Sequence, residues 1–388
     1  MFFFKWFSVL LFFSTNPLLQ FSSDAFQSKP YFLGKRIISS IPIKNFYLYS
    51  SPKENLNQVQ NQLQNQAQNQ VKEENKYSLI PYKSVKGNQP QILKVTIQKK
   101  VSAFFKLIRY KNLFPTFLLS FSGGWLMNPS LTNLFHSTTF IVAAINTLLI
   151  MCSSMILNDL FDRKVDKINN PTRPLITGEI TIQEAFLSSV GLLGLAEYLS
   201  YSFLPSSLQL ITQFSIIHII VYTPFLKKIL FIKNLACASI ISFSVYFAGL
   251  ASSMVYIPTH ENFKLFSLFF ILVFLGSLYN ELLLDMCDFK GDRSNGIVTV
   301  PVAFGNHVSW VLSSILINTN ILFQSAALIY LYNLQIGLLF FILSSPALLR
   351  SYEIYQAKYT KDSVMLAVEE TSKQLFFSLL YFLLLTVL

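Results

Sequence analysis

From about Lys106 to its end, the chain alternates nine apolar segments with short polar connections. The segments are Leu113–Met127, Phe140–Leu157, Ala185–Leu204, Leu208–Leu226, Leu235–Tyr256, Leu265–Leu284, Val308–Leu331, Ile336–Leu349 and Leu375–Leu388. Most reach or nearly reach the roughly 20 residues that cross a bilayer as a helix, and the eighth is short. The bilayer core holds no water, and a helix is the only open-ended element that satisfies its own backbone there. The pattern predicts an all-α polytopic membrane bundle of nine transmembrane helices. Composition excludes the soluble alternative. Only 13% of the 388 residues are Asp, Glu, Lys or Arg, against about a quarter in soluble domains. So few charges cannot coat a globule of this length.

The net charge of +11 is arranged by side. Loops after the second, fourth, sixth and eighth segments carry Arg163, Lys164, Lys167, Arg173; Lys227, Lys228, Lys233; Lys290, Arg293; and Arg350, Lys358, Lys361, Lys373. Loops after the odd segments up to the seventh carry only Lys264. Basic loops stay on the cytoplasm-equivalent face, so this asymmetry orients the bundle and supports nine spans over eight or ten. It also explains the basic excess by topology, and no nucleic-acid partner is expected.

Residues 1–25 read as a signal peptide, with Lys5, an apolar run from Trp6 to Phe13 and a Ser23-Asp24-Ala25 cleavage step. Residues 26–53 hold Lys29, Lys35, Arg36 and Lys44 but no acid, the composition of a transit peptide. A signal followed by a transit segment that opens on Phe26 resembles the bipartite plastid address of algae with red-lineage secondary plastids. The alternative is a plain secretory signal or signal anchor. Residues 54–100 begin as an Asn/Gln-rich tract and read as a low-complexity flexible linker. The spacing of Leu56, Val59, Leu63, Ala67 and Val71 also fits an amphipathic helix. The plastid reading places an integral membrane domain, 101–388, in a plastid membrane with its basic loops in the stroma.

Six of the eight Asp residues fall in two tight groups. Asp159, Asp162 and Asp166 follow Asn158, and Asp285, Asp288 and Asp292 end the sixth segment. Each group has Asp at i, i+3 and i+7, which shares one helix face at about 100° per residue. Glu281 extends the second face by a turn. Both groups end even-numbered segments and open on one side of the membrane. Three carboxylates on one face repel each other where water screens them poorly. Two such faces call for a multivalent cation, and oxygen-only ligands favour Mg2+ bridged to a substrate phosphate. The bland alternative is a solvated acidic loop paired with local Lys and Arg, which the repeated spacing disfavours.

Cations gather on the same side: Arg163 and Arg173 after the first group, Lys290 and Arg293 with the second, and Tyr222, Lys227 and Lys228 at the end of the fourth segment. Arg109 and Asn112 enter the first segment there too. Metal and cations beside an apolar cavity suit the ionisation of a lipid diphosphate, because they stabilise the departing pyrophosphate while aromatic walls shelter an allylic cation.

Asn158-Asp159-x-x-Asp162-x-x-x-Asp166, followed by Asn170-Pro171-Thr172-Arg173-Pro174, resembles the first signature of the UbiA superfamily of intramembrane prenyltransferases. Asp285-x-x-Asp288-x-x-Gly291-Asp292, with Gly296, Thr299 and Pro301, resembles the second. The resemblance covers about residues 100–388. It implies Mg2+ ions held by Asp159, Asp162, Asp166, Asp285, Asp288 and Asp292 across a central cavity. It further implies transfer of a prenyl chain from a polyprenyl diphosphate to a lipophilic acceptor. Tyr222 and Lys227 join Asp159, Asp162, Asp285 and Asp288 as catalytic candidates; Asn112, Asn158, Arg163, Arg173, Lys228, Lys290 and Arg293 are candidates for substrate binding. The plastid subfamilies it is similar to are homogentisate prenyltransferases and chlorophyll synthases. Their acceptors are an aromatic ring and a chlorophyllide, for quinone, tocopherol or chlorophyll-type lipids. Asp159 departs from the Asn-Gln opening of the first, and Asp288 from the second motif of the other.

The rival class is a cation or organic-ion transporter, which should hold its acids near the midplane on broken helices rather than at one interface. Glu197, inside the third segment, is expected to make an interhelical hydrogen bond; His218, Asn318, Asn320 and Gln324 read as packing. Cys152, Cys237 and Cys287 lie far apart and read as inert packing residues.

Overall fold

The computed structural model describes residues 89–387, and every regular element among them is helical. The leader, the transit-like stretch and most of the 54–100 tether lie outside the described residues. The end of that tether is not a flexible linker: α1 spans Gln89–Leu107, crossing the boundary drawn at 100. Its C-terminal half buries Ala103 and Leu107 with Ile156 and Ile180. Lys100 pairs with Glu184, and Lys106 Nζ lies 3.6 Å from Glu179 Oε2.

A 3-10 turn, Tyr110–Asn112, leads into α2 (Leu113–Met127) and a short α3 (Leu131–His136). Then come α4 (Thr138–Phe161), α5 (Arg163–Asn169), α6 (Pro174–Thr177), α7 (Ile182–Phe203) and α8 (Ser206–Tyr222). After the 3-10 turn Leu226–Lys228 follow α9 (Ile232–Ser253), α10 (His260–Ser294), α11 (Val300–Leu331), α12 (Leu334–Gln356) and α13 (Lys361–Leu385). Each apolar segment falls largely within one of these helices. Five of them, α4 and α9 to α12, are long and apolar enough to cross a membrane; α8 is apolar but only 17 residues long. The short eighth segment belongs to a 23-residue helix that runs through Pro346. Proline offers no N–H to the carbonyl of Ile342, and Ser345 Oγ donates to that oxygen instead at 2.8 Å.

Side-chain caps set where helices begin. Ser137, Thr181, Thr259, Asn333 and Thr360 each accept a backbone N–H of the first turn. Helix α2 packs on α4, α9, α10 and α13, α4 on α7, α7 on α8, and α8 on α9. The other half runs α9 to α10, α10 to α11 and α13, then α11 to α12 and α12 to α13. Gly123 lets α2 approach α9 closely, since a Cβ there would overlap the Val245 carbonyl. Phe269, Phe340 and Phe382 fill the joint of α10, α12 and α13, with the Phe269 and Phe382 rings 5.5 Å apart.

Candidate active site

The first Asp group does not lie on one unbroken helix. Helix α4 ends at Phe161, Asp162 leaves helical geometry at φ −84° and ψ 5°, and α5 begins at Arg163. Backbone hydrogen bonds from Asp162 N to Asn158 O and from Asp166 N to Asp162 O, 2.9 and 2.8 Å, carry the turn across the break. The spacing therefore survives it. Arg173 closes the group, donating through Nη1 to Asp159 Oδ1 and Asp166 Oδ2, both at 2.6 Å. Arg109 Nη2 adds a 3.0 Å bond to Asp159 Oδ1, and Asn170 Nδ2 reaches Asp166 Oδ1 at 3.4 Å. Asp159, Asp162 and Asp166 are all buried. Burial pushes the Asp166 carboxyl up to about 6 against the pull of Arg173, with Asp159 and Asp162 adding to the rise. Lys227 pairs with Asp162 and donates to Asn158 Oδ1 at 3.1 Å.

The second group sits on α10 without a break. Buried Asp285 pairs with Lys233 and accepts from Asn234 Nδ2 at 2.8 Å, both from the first turn of α9. Asp288 is half-buried with no side-chain hydrogen bond among the described residues, and Asp292 Oδ2 is buried without a partner. The groups belong to one site because α5 packs on α10. Gly291 makes that contact close: a Cβ there would overlap the Asn169 side-chain amide. Among the described residues no three His, Cys, Asp or Glu side chains are gathered tightly enough to hold an ion by themselves. Mg2+ needs less, because it takes one or two carboxylates together with substrate phosphate and water. The oxygen-only donor set and the orphaned Asp292 oxygen fit such an ion.

The other candidates divide. Tyr222 ends α8, and its Oη accepts from Cys237 Sγ at 2.9 Å, so Cys237 is not merely packing. Asn112 is exposed at the N-terminus of α2. Arg163, Lys228, Lys290 and Arg293 are exposed and make no pair with the acids: Arg163 Nε donates to Leu160 O, and Arg293 lies over the Phe289 ring. In the sequence Lys233 reads only as a topology charge, and Asn234 belongs to no motif. Their signal was a Lys-Asn pair at the very start of an apolar segment. Two backbone outliers deliver the cations. Arg109 has φ 51°, and Phe231, just before α9, has φ 65°. Such conformations cost about 1–3 kcal/mol each and persist where surrounding contacts impose them. Outside the site, Gln213 Nε2 donates to Glu197 Oε1 at 2.9 Å, the expected bond between α7 and α8. His218 faces the Ala236 carbonyl at 3.2 Å.

The family model described as the UbiA prenyltransferase family matches residues 113–380. The chain belongs to the UbiA prenyltransferase family. It is a prenyltransferase and an integral membrane protein, and the transporter reading falls away. Over 256 residues it is 30% identical to the digeranylgeranylglyceryl phosphate synthase of Sulfolobus acidocaldarius, covering 64% of this chain and 86% of that one. The synthase of the same name from Sulfurisphaera tokodaii is 30% identical over 233 residues, 56% of this chain and 75% of that one. Among solved structures, a digeranylgeranylglyceryl phosphate synthase superposes with a TM-score of 0.54 at 20% identity, covering 74% of this chain and 98% of its own. A UbiA homologue from Archaeoglobus fulgidus bound to DMAPP and Mg2+ gives 0.51 at 17% identity over 70% and 97%. At these identities the superpositions establish the fold. The similar synthases are archaeal, so neither the homogentisate and chlorophyll subfamilies nor the plastid address gains support from them.

Proposed function

We propose that this prenyltransferase binds a prenyl diphosphate with Mg2+ between its two Asp groups and transfers the prenyl chain to a glycerol-phosphate-type lipid acceptor. The observation that carries the first part is the Asn169–Gly291 contact, which sets two carboxylate groups with their own cations against one another at one end of the bundle. Asp159, Asp162, Asp166, Asp285, Asp288 and Asp292 would hold the metal, and Mg2+ when bound draws charge from the leaving diphosphate. Lys227 and Lys233 neutralise Asp162 and Asp285, and would let go of them in part when a diphosphate and its metal bind between the groups. Arg109 and Arg173 hold the Asp159 carboxyl in place. Tyr222, at the α8 terminus five residues before Lys227, would supply an aromatic ring near that end of the bundle. The reaction breaks the C1–O bond to diphosphate, releases pyrophosphate, forms a C–O bond to the acceptor hydroxyl and passes its proton to solvent or phosphate. The acceptor class rests on the relatives' name, which contains a glyceryl phosphate and no aromatic ring. The exposed Arg163, Lys228, Lys290 and Arg293 supply cations for a second phosphate. The aromatic and chlorophyllide acceptors expected from motif comparison gain no support from the relatives' names.

Membranes carrying the chain, supplied with labelled prenyl diphosphates of several lengths, are expected to prenylate an alkylglycerol phosphate in a Mg2+-dependent way. Product with a dihydroxyphenyl acid alone would return the acceptor to the aromatic class. Absence of product with every acceptor would overturn the transfer reading.

All nine apolar helices are proposed to cross the bilayer, with both Asp groups on the basic side. Reporters at Asn170 and Gly291 should then be accessible from one face and a reporter at His260 from the other. Asn170 and Gly291 on opposite faces would break both the span count and the shared site.

A further inference from the structure

Helix α1 packs on the bundle with one side and leaves two others free. Ala103 and Leu107 are buried in the cluster that holds Ile156 and Ile180. Ile97, Val101 and Phe105, spaced i, i+4 and i+8, are 54%, 50% and 47% exposed. Gln98, Ser102 and Lys106 are exposed as well and, with Lys99, make the remaining side polar. At about 100° per residue the centres of these three sides lie roughly 120° apart. A helix surrounded by water has no use for the second of them. The apolar strip continues past the end of α1. The Phe105 ring meets that of Tyr110 edge-on with 6.5 Å between centroids, and Phe114, at the start of α2, is 64% exposed. Because α2 is read as a membrane-crossing helix, the strip runs without interruption onto a surface that faces lipid.

Depth and charge favour lipid as its cover. Ile156 lies five residues inside the end of α4, or roughly 8 Å along the axis. Interfacial helices bury their apolar side to about that depth, 5–10 Å into the boundary between headgroups and acyl chains. The 19 residues of α1 include four lysines and no acid. Such a helix suits a headgroup layer, whereas a second copy of itself would set like charge against like. The last turn of α1 also reaches the site. Ile108 N donates to Phe104 O at 3.0 Å and Arg109 N to Lys106 O at 3.1 Å, so the backbone of Arg109 is tied to the helix where it turns at φ 51°. Arg109 Nη2 then meets Asp159 Oδ1 at 3.0 Å. We propose that α1 lies in the plane of the membrane on its basic face, with Ile97, Val101 and Phe105 among the lipids at the headgroup–acyl boundary, and that this seat positions Arg109 against Asp159. The three side chains act on the site only through the helix and Arg109. The seat stands by itself, and the link to Asp159 rests on the prenyl-transfer reading and deepens it.

The seat is tested without turnover. The full chain, with Val101→Trp or Ser102→Trp, is reconstituted in vesicles of phosphatidylcholine and phosphatidylglycerol, and the added fluorescence is read as the difference from the wild-type chain. Bromines on the acyl chains are expected to quench the Val101→Trp signal at least about twice as strongly as the Ser102→Trp signal, and bromines near the headgroup should quench it more than bromines near the chain end. Quenching of Val101→Trp by aqueous iodide and not by bromines would put that side in solvent. Shielding from both would mean that protein covers it. Either result overturns the seat. The link to Asp159 is read by turnover in the same vesicles. Val101→Asp charges the lipid side and leaves the packed side alone, and it should lower kcat/KM for the prenyl diphosphate about threefold, while Val101→Leu keeps it. In an Arg109→Gln chain, Val101→Asp should add little, because the two act in series. Equal losses with and without Arg109, or no loss at all, would overturn the link. Absence of product from the wild-type chain would sink the transfer reading and the link with it, while the fluorescence still decides the seat.

Discussion

Asp159→Asn and Asp285→Asn are each expected to lower turnover by at least about a hundredfold, about 2.7 kcal/mol of transition-state stabilisation. A carboxamide keeps the shape and most of the hydrogen bonding of the acid but not the charge that holds a cation against the diphosphate. One remaining group would face a leaving group whose charge it cannot balance alone. The double variant should cost far less than the product of the single losses, because residues that act as a unit are non-additive. The measurement is product from a radiolabelled prenyl diphosphate in membranes with matched protein levels. Asp159→Asn is the cleaner of the two, since Arg173 keeps Asp166 as its partner when Asp159 is neutral. Full activity in that variant would remove the two-group site.

Periodicity and charge carried the fold a long way. Apolar runs cannot be hidden in a sequence that must face lipid, so each of the nine segments marked a helix in the structure, with errors at the ends. Those errors have local causes: a hydroxyl that repairs the backbone at Pro346, and an amphipathic α1 whose burial depends on Ile156 and Ile180, far along the chain. The acidic half of the site was legible for the same reason, since six Asp at helical spacing beside a membrane leave few alternatives. Its basic half was legible only in part: Arg109, Arg173 and Lys227 stood out beside the acids, and Lys233 did not. Lys227 and Lys233 look alike in a loop between two spans, and so do Lys228 and Lys290. Only packing reveals that the first two reach Asp162 and Asp285 while the others stay exposed.

Lys233→Met is expected to lower stability by about 3–5 kcal/mol, the usual cost of stripping one partner from a buried ion pair. Lys233 and Asp285 are 9% and 2% exposed, so without the ammonium the Asp285 carboxylate would stay buried with only the Asn234 bond to offset its desolvation. In a chain of this size that corresponds to a fall in the thermal midpoint of about 4–6 °C in detergent. The pair need not stabilise the fold by that amount when intact, because the attraction between the two charges is spent largely on removing both from water. Lys233→Met combined with Asp285→Leu should therefore recover most of the lost stability, since two apolar side chains can occupy the space that one unpaired charge cannot. It should recover no activity, because the carboxylate that faces the diphosphate is gone. This split separates a structural ion pair from a catalytic one: a purely structural pair would regain turnover along with its midpoint. An unchanged midpoint in Lys233→Met would show that water reaches Asp285, and the buried pairing at the head of α9 would have to be given up.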